Sequence, residues 1–132
     1  MDIRTPKEIT DFTLAVGKNK TSMPAWRVAV QAIQAGAFIA FGGVLSLIVG
    51  FGFPEITSGN PAMQKLMSGL VFPIGLILVV VLGAELFTGN NALLVPACMK
   101  GHYGWKKIAS NWTMVYMANF AGALLFTWLL VY

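Results

Sequence analysis

The chain has 132 residues, of which 57% are hydrophobic and only 11% are charged. Soluble domains carry about a quarter charged residues, so this composition excludes an ordinary soluble domain and predicts a membrane protein. The net charge is +4, but most basic residues lie in two polar segments, which indicates membrane orientation rather than nucleic-acid binding. Because Cys98 is the single cysteine, no intrachain disulfide can form.

Residues 1–25 are predicted to form a cytoplasmic N-terminal segment with one short amphipathic helix. The sequence "TPKE" at residues 5–8 is typical of a capping box, with its threonine as N-cap and its proline at the first helical position. Gly17 is expected to end this helix. The helix should lie on the membrane or on the protein, because one face carries Ile9, Phe12 and Val16.

Charged residues divide the remainder of the chain into apolar blocks. Uncharged runs of 27, 19, 14 and 25 residues occupy residues 28–54, 66–84, 86–99 and 108–132. A membrane-spanning helix needs about 20 apolar residues, so the 14-residue run is too short to cross alone. We predict one three-helix transmembrane repeat at residues 26–132, with spans at 26–53, 66–99 and 108–132.

Basic residues also predict the orientation of these spans. The N-terminal segment carries five, the connection after the first span carries one, and the connection after the second span carries three. Positive residues favour the cytoplasmic side, so this alternation predicts a cytoplasmic N-terminus in a multi-pass protein of the plasma or inner membrane.

The second span is predicted to be broken. Its 34 residues would form a helix of roughly 51 Å, whereas the hydrocarbon core is only about 30 Å thick. The break is expected at "ELFTGNN", residues 85–91, because Gly89 and Asn90 disfavour helix and Asn90 or Asn91 could cap a new half-helix. Irregular backbone at membrane depth survives where it lines a cavity, and broken helices indicate substrate sites in transporters.

The sequence resembles the formate/nitrite transporter family at these residues. "GAELFTGN" at 83–90 is similar to the family's pore loop, "AGAFIAFGG" at 35–43 to its first helix, "NWTMVYMANFAGALLF" at 111–126 to its third, and "GKNK" at 17–20 to its basic N-terminal stretch. The resemblance covers nearly all of this chain and about half of a typical member.

The resemblance implies an aquaporin-like fold in which two inverted three-helix repeats form six helices, and this sequence supplies the first repeat. It implies a homopentamer, provided that the second repeat is present, with one pore in each protomer. It also implies passive or proton-linked transport of small monovalent anions or their acids, such as formate, nitrite, hydrosulfide or lactate.

Four apolar residues match the family's pore constriction, namely Phe72, Leu76, Leu86 and Phe87. A dry apolar gate opposes an anion and admits the neutral acid, because burying an unpaired charge is costly. The alternative is that all four residues face neighbouring helices or lipid.

Four further residues match the family's pore loop, namely Thr88, Gly89, Asn90 and Asn91. Thr88 matches the hydroxyl that bonds the family's central histidine, which belongs to the second repeat; His102, in a connection, cannot replace it. The alternative for Thr88 is a bond to its own backbone. Free N–H groups at Gly89, Asn90 and Asn91 would favour an anion, although ordinary turn chemistry predicts the same backbone.

Charged residues near the loop have other expected roles. Glu85 is expected to be a structural intramembrane acid, bonded to loop backbone or to a lysine of the second repeat. Lys18 and Lys20 could attract anions to the inner mouth, or could only set topology and touch lipid headgroups. Asn111 and Asn119, eight residues apart, are expected to form interhelical hydrogen bonds.

Other classes of function have little support in the sequence. No nucleophile triad, metal-ligand spacing or pair of intramembrane histidines for haem is visible, so we expect no enzyme, metal or other cofactor. The alternative to transport is a structural membrane subunit, or an inactive half-transporter that needs a partner repeat.

Overall fold

The computed structural model describes residues 5–132, and this part of the chain is helical apart from short connections. Its helices are α1 (Pro6–Ser22), α2 (Ala25–Phe51), α3 (Pro54–Gly59), α4 (Pro61–Val71), α5 (Pro73–Val81), α6 (Phe87–Met99) and α7 (Trp105–Val131). Within residues 5–132, three stretches are long and apolar enough to cross a membrane: α2, α4 with α5 (Pro61–Val81), and α7. The protein is therefore an all-α membrane protein.

Helix α1 begins as the sequence predicts but ends later. The Thr5 side chain accepts the Glu8 N–H, and the Glu8 carboxylate accepts the Thr5 N–H at 2.7 Å, so the capping box is confirmed. These bonds from Thr5 lower the pKa of Glu8. The predicted end at Gly17 is wrong, because α1 continues to Ser22. A Cβ atom at Gly17 would lie 2.5 Å from the Leu93 carbonyl oxygen, so this glycine permits close packing of α1 on α6.

Helix α2 lies at the centre of the fold and crosses α7 at two glycines. A Cβ atom at Gly36 would collide with the backbone of Asn119, and one at Gly122 would collide with the backbone of Ile33. Small residues of this kind let membrane helices approach closely, as expected where lipid supplies no hydrophobic driving force. Beside the crossing, a buried cluster joins the two helices through Val28, Ala32 and Val115.

On its other side, α2 packs against α4 and α5. A Cβ atom at Gly75 would lie 2.6 Å from the Phe38 carbonyl oxygen, so these backbones are also close. Toward the far end of α2, the Ser68 hydroxyl donates to the Ser46 carbonyl at 2.8 Å, and the Ser46 hydroxyl donates to the Ser68 carbonyl at 3.1 Å. These reciprocal bonds hold α2 and α4 together without a charged group, whose burial here would cost much free energy.

The second span is broken, but earlier than the sequence indicates. Gly83 adopts a φ of 66°, and the Ala84 N–H donates to the Val79 carbonyl at 2.9 Å, which closes the end of α5. The irregular backbone covers residues 82–86, and α6 already begins at Phe87. The expectation that Asn90 or Asn91 caps the half-helix is therefore wrong. Both lie inside α6, because the glycine that breaks the span is Gly83 rather than Gly89.

A glycine-to-alanine substitution tests the α2–α7 crossing. We expect Gly36→Ala to lower the free energy of unfolding by about 1–3 kcal/mol, because the added methyl group forces the two helices apart. The measurement is unfolding of the purified protein in mixed micelles. Gly43→Ala, on the same helix with no atom within 4 Å of its added Cβ, is the control and should leave stability equal or slightly higher. Equal losses in both variants would contradict the proposed packing.

Candidate functional site: the loop between α5 and α6

Glu85 lies at the centre of the loop and is fully paired. Its side chain is only 2% exposed, and its Oε1 accepts a hydrogen bond from the Lys20 Nζ at 2.5 Å. Its Oε2 accepts from the Asn90 Nδ2 at 2.8 Å, and its backbone N–H donates to the Gln31 carbonyl at 3.3 Å. A buried carboxylate is tolerated only when it is paired and bonded in this way.

The lysine that pairs with Glu85 belongs to this chain. The sequence offered loop backbone or a lysine of the second repeat as the partner of Glu85, and it offered Lys20 as an attractor of anions or as a residue that sets topology and touches lipid headgroups. In the structure α1 continues past Gly17 and brings Lys20, which is 16% exposed, onto the loop as the partner of Glu85. Lys18, by contrast, is exposed on the outer face of α1.

Two asparagines on α7 hold the loop and α6 in place. Asn111 accepts a hydrogen bond from the Asn90 Nδ2 at 3.0 Å. The Oδ1 of Asn119 accepts from the Phe87 N–H at 2.9 Å, and its Nδ2 donates to the carbonyls of Ala32 and Glu85 at 2.7 and 2.9 Å. The predicted interhelical role of both asparagines is therefore confirmed, and Asn119 links α2, the loop and α7.

Two backbone donors in the first turn of α6 have no acceptor among residues 5–132. The Phe87 N–H is bound by Asn119, and the Asn90 N–H donates to the Leu86 carbonyl at 3.0 Å. The intervening N–H groups of Thr88 and Gly89 have no intrahelical acceptor, as in the first turn of any α-helix. These donors and the positive end of the helix dipole create a local preference for negative charge.

One side of the loop borders a groove of about 580 Å³, which we call the lysine groove. It includes five of the eight predicted constriction and loop residues, namely Leu76, Leu86, Thr88, Gly89 and Asn90, together with Lys20 and other side chains of α1. Its walls are largely apolar, and its polar side chains are Lys20 of α1 and Thr88 and Asn90 of α6.

The loop also borders a second groove of about 270 Å³, which we call the tyrosine groove. It lies between α2 and α7 and is lined by Tyr116, Asn119 and Phe120, and by Leu86, Phe87 and Thr88 of the loop and α6. Leu86 and Thr88 line both grooves. These two residues therefore form the boundary between the lysine groove and the tyrosine groove.

The structure does not bring all the predicted site residues together. Phe72 borders neither groove but a separate one of about 500 Å³ beside Ser68 and Lys65. Asn91 is half-buried in α6, and its Oδ1 accepts no hydrogen bond from the part of the chain described. The other six predicted constriction and loop residues do gather around the loop. Five of them line the lysine groove, namely Leu76, Leu86, Thr88, Gly89 and Asn90, and Phe87 lines the tyrosine groove.

Sequence reasoning missed two tyrosines beside this site. The Tyr116 ring meets the Phe87 ring edge-to-face, with centroids 5.4 Å apart. The Tyr103 hydroxyl donates to the Leu94 carbonyl of α6 at 2.8 Å, and burial, with a smaller effect from Cys98, raises the pKa of Tyr103. Aromatic residues are common near membrane interfaces, so neither tyrosine carried a signal of its own. Across residues 5–132, no three potential metal-ligating side chains cluster.

Removal of the Lys20 charge tests the buried pair. We expect Lys20→Met to lower the free energy of unfolding by about 3–5 kcal/mol, because the Glu85 carboxylate is left buried without its cation. Lys18→Met, an exposed lysine on the same helix, should change it by no more than about 0.5 kcal/mol. Mixed-micelle unfolding measures both, and the double variant Lys20→Met/Glu85→Gln should recover most of the loss. Equal stability of the two single variants would refute the pairing.

Comparison with known proteins assigns the chain to a family. The family model described as "Formate/nitrite transporter" matches residues 7–132. The chain is 35% identical over 122 residues to the "Probable formate transporter" of Methanothermobacter thermautotrophicus, covering 92% of this chain and 44% of that protein. It is 36% identical over 129 residues to the "Formate channel FocA" of Escherichia coli strain K12, covering 98% and 44%.

A third relative is the "Uncharacterized transporter YrhG" of Bacillus subtilis strain 168, which is 36% identical over 124 residues, covering 94% of this chain and 46% of that protein. The chain thus spans less than half the length of these relatives. The family-model match at residues 7–132 includes the loop, both grooves and all three spans. The chain belongs to the formate/nitrite transporter family.

Proposed function

We propose that the protein transports small monovalent anions, or their conjugate acids, across a membrane, with formate and nitrite as the leading substrates. The observation that carries this proposal is that Leu86 and Thr88 line both grooves, so the loop between α5 and α6 forms their common boundary. A solute that passes from one groove to the other must cross this boundary. The family membership and the printed names of the relatives support the same substrate class.

An anion would be attracted by backbone donors rather than by a free lysine. The charge of Lys20 is neutralised by Glu85, so it adds little to the field in the lysine groove. The free N–H groups of Thr88 and Gly89 remain, together with the positive end of the α6 dipole. This arrangement attracts an anion weakly, which permits its release.

The apolar residues at the boundary would then select the neutral acid. Leu76 and Leu86 line the lysine groove, and Phe87 lines the tyrosine groove beside Leu86. A dehydrated anion at such a gate is costly, whereas a protonated acid carries no net charge. The neutral acid would therefore cross passively, and each anion transported in this form would carry one proton with it. Phe72, in its separate groove, would contribute to the pathway only at a different depth from Leu86 and Phe87.

The remaining parts of the proposal concern orientation and assembly. We propose a cytoplasmic N-terminus in the plasma or inner membrane, supported by the distribution of basic residues, so that the lysine groove opens toward the cytoplasm. The exposed apolar faces of α5 and α7 favour cover by a second three-helix repeat and by neighbouring subunits of a homopentamer. The exposed hydroxyl of Thr88 could then bond a histidine of that second repeat.

Uptake into liposomes tests the proposed transport. We expect formate or nitrite uptake by the purified, reconstituted protein to rise as external pH falls. Well above the pKa of the acid, each fall of one pH unit raises the concentration of the neutral acid about tenfold. Protein-free liposomes supply the background rate. Uptake equal to this background at every pH would refute transport and favour a structural subunit or an inactive half, and native mass would then show whether a partner chain is bound.

A pair of leucines in the broken segment tests the gate. We expect Leu86→Ala to raise the flux of nitrate, which stays ionised at all accessible pH values, by about two- to tenfold relative to formate, because a smaller apolar side chain admits water at the boundary. Leu82→Ala is the matched control, since Leu82 lies in the same segment but lines neither groove. If both variants kept the original ratio of nitrate flux to formate flux, Leu86 would not be part of the gate.

A further inference from the structure

We infer that Tyr116 is a positioning residue for the constriction: its ring holds Phe87 in place, and it thereby determines which small solutes cross the loop. This inference rests on the proposed transport function and extends it to a residue outside the loop. It follows from three observations on α6 and α7, which concern the anchoring of Phe87, the wall that the two rings share, and the Tyr116 hydroxyl.

Phe87 is held from α7 at both its backbone and its ring. Asn119 accepts the Phe87 N–H at 2.9 Å, and the Tyr116 ring packs edge-to-face on the Phe87 ring at 5.4 Å and 72°. Residues three apart on a helix lie on the same face, so Tyr116 and Asn119 act together on one residue. Trp112, one turn earlier, supplies a second edge contact at 6.3 Å and 74°. The ring of Phe87 therefore has a defined orientation.

Phe87 and Tyr116 also form a wall between two cavities. Both residues line the tyrosine groove, and both line a separate groove of about 320 Å³ that is also lined by Trp112 and Met117. A smaller, non-aromatic side chain at residue 116 would remove part of this wall and release the Phe87 ring. The constriction would then open sideways past Phe87, around the barrier that Leu86 and Phe87 form.

The ring of Tyr116, rather than its hydroxyl, carries this role. The hydroxyl makes no hydrogen bond to any residue between 5 and 132, whereas the ring makes the contact with Phe87. The side chain is 55% exposed, so burial of the ring against a core does not account for its packing. Phenylalanine should therefore substitute for Tyr116 without loss, and an aliphatic residue should not.

The test measures selectivity, because a merely structural role would change amount or stability but not the ratio of two fluxes. In liposomes with the purified full chain, we expect Tyr116→Leu to raise nitrate flux relative to formate flux by about two- to tenfold, the range that the loss of one edge-to-face aromatic contact allows. Tyr116→Phe should keep the original ratio. If Tyr116→Leu does not fold, Tyr116→Met, which keeps a long apolar side chain, takes its place.

Phe126→Leu is the matched control. It removes another edge-to-face contact of α7, with Phe41 at 6.1 Å and 86°, at a distance from the loop, and it should keep the original ratio. An unchanged ratio in Tyr116→Leu, or an equal rise in Tyr116→Phe or Phe126→Leu, would overturn the inference while leaving transport intact. Absence of any flux in the unsubstituted protein would overturn the proposed function, and the inference with it.

Discussion

The structure depends on satisfying the backbone polar groups of residues 82–86, where the second, apolar span is not helical. No lipid can bond such groups, so protein must do so. The Glu85 N–H is bonded by the Gln31 carbonyl, the Glu85 carbonyl by Asn119, and the Glu85 carboxylate by Lys20 and Asn90. Each of these partners comes from a different part of the chain: α2, α7, α1 and α6.

This requirement explains why the helices pack so closely. Asn119 reaches both the Ala32 carbonyl and the loop because α7 lies directly on α2, and it can lie there because Gly36 and Gly122 have no side chains. Likewise, Lys20 reaches Glu85 because Gly17 lets α1 rest on α6. The glycines that pack the helices are therefore the residues that allow polar side chains to reach the broken backbone.

The same network determines the electrostatics of the proposed pathway. Because the charges of Lys20 and Glu85 cancel, the groove is left with the weaker field of backbone donors at Thr88 and Gly89. A strong unpaired cation would hold an anion tightly, and an unpaired carboxylate would repel it. Pairing the two charges makes the loop stable and leaves a weak attraction beside an apolar gate, which suits a site that must also release its substrate.

The sequence by itself determined the membrane class, the three spans, the existence of a break in the second span, the capping box of α1 and the family resemblance. These features depend on composition, hydrophobic runs and local motifs, which act over short stretches of chain. Only the tertiary structure decided that Gly83 makes the break, that Asn90 and Asn91 lie within α6, that Phe72 stands apart from Leu86, and that Lys20 pairs with Glu85. The physical reason is distance along the chain: Lys20 and Glu85 are 65 residues apart, and their meeting depends on how α1 packs on α6, which no local pattern encodes.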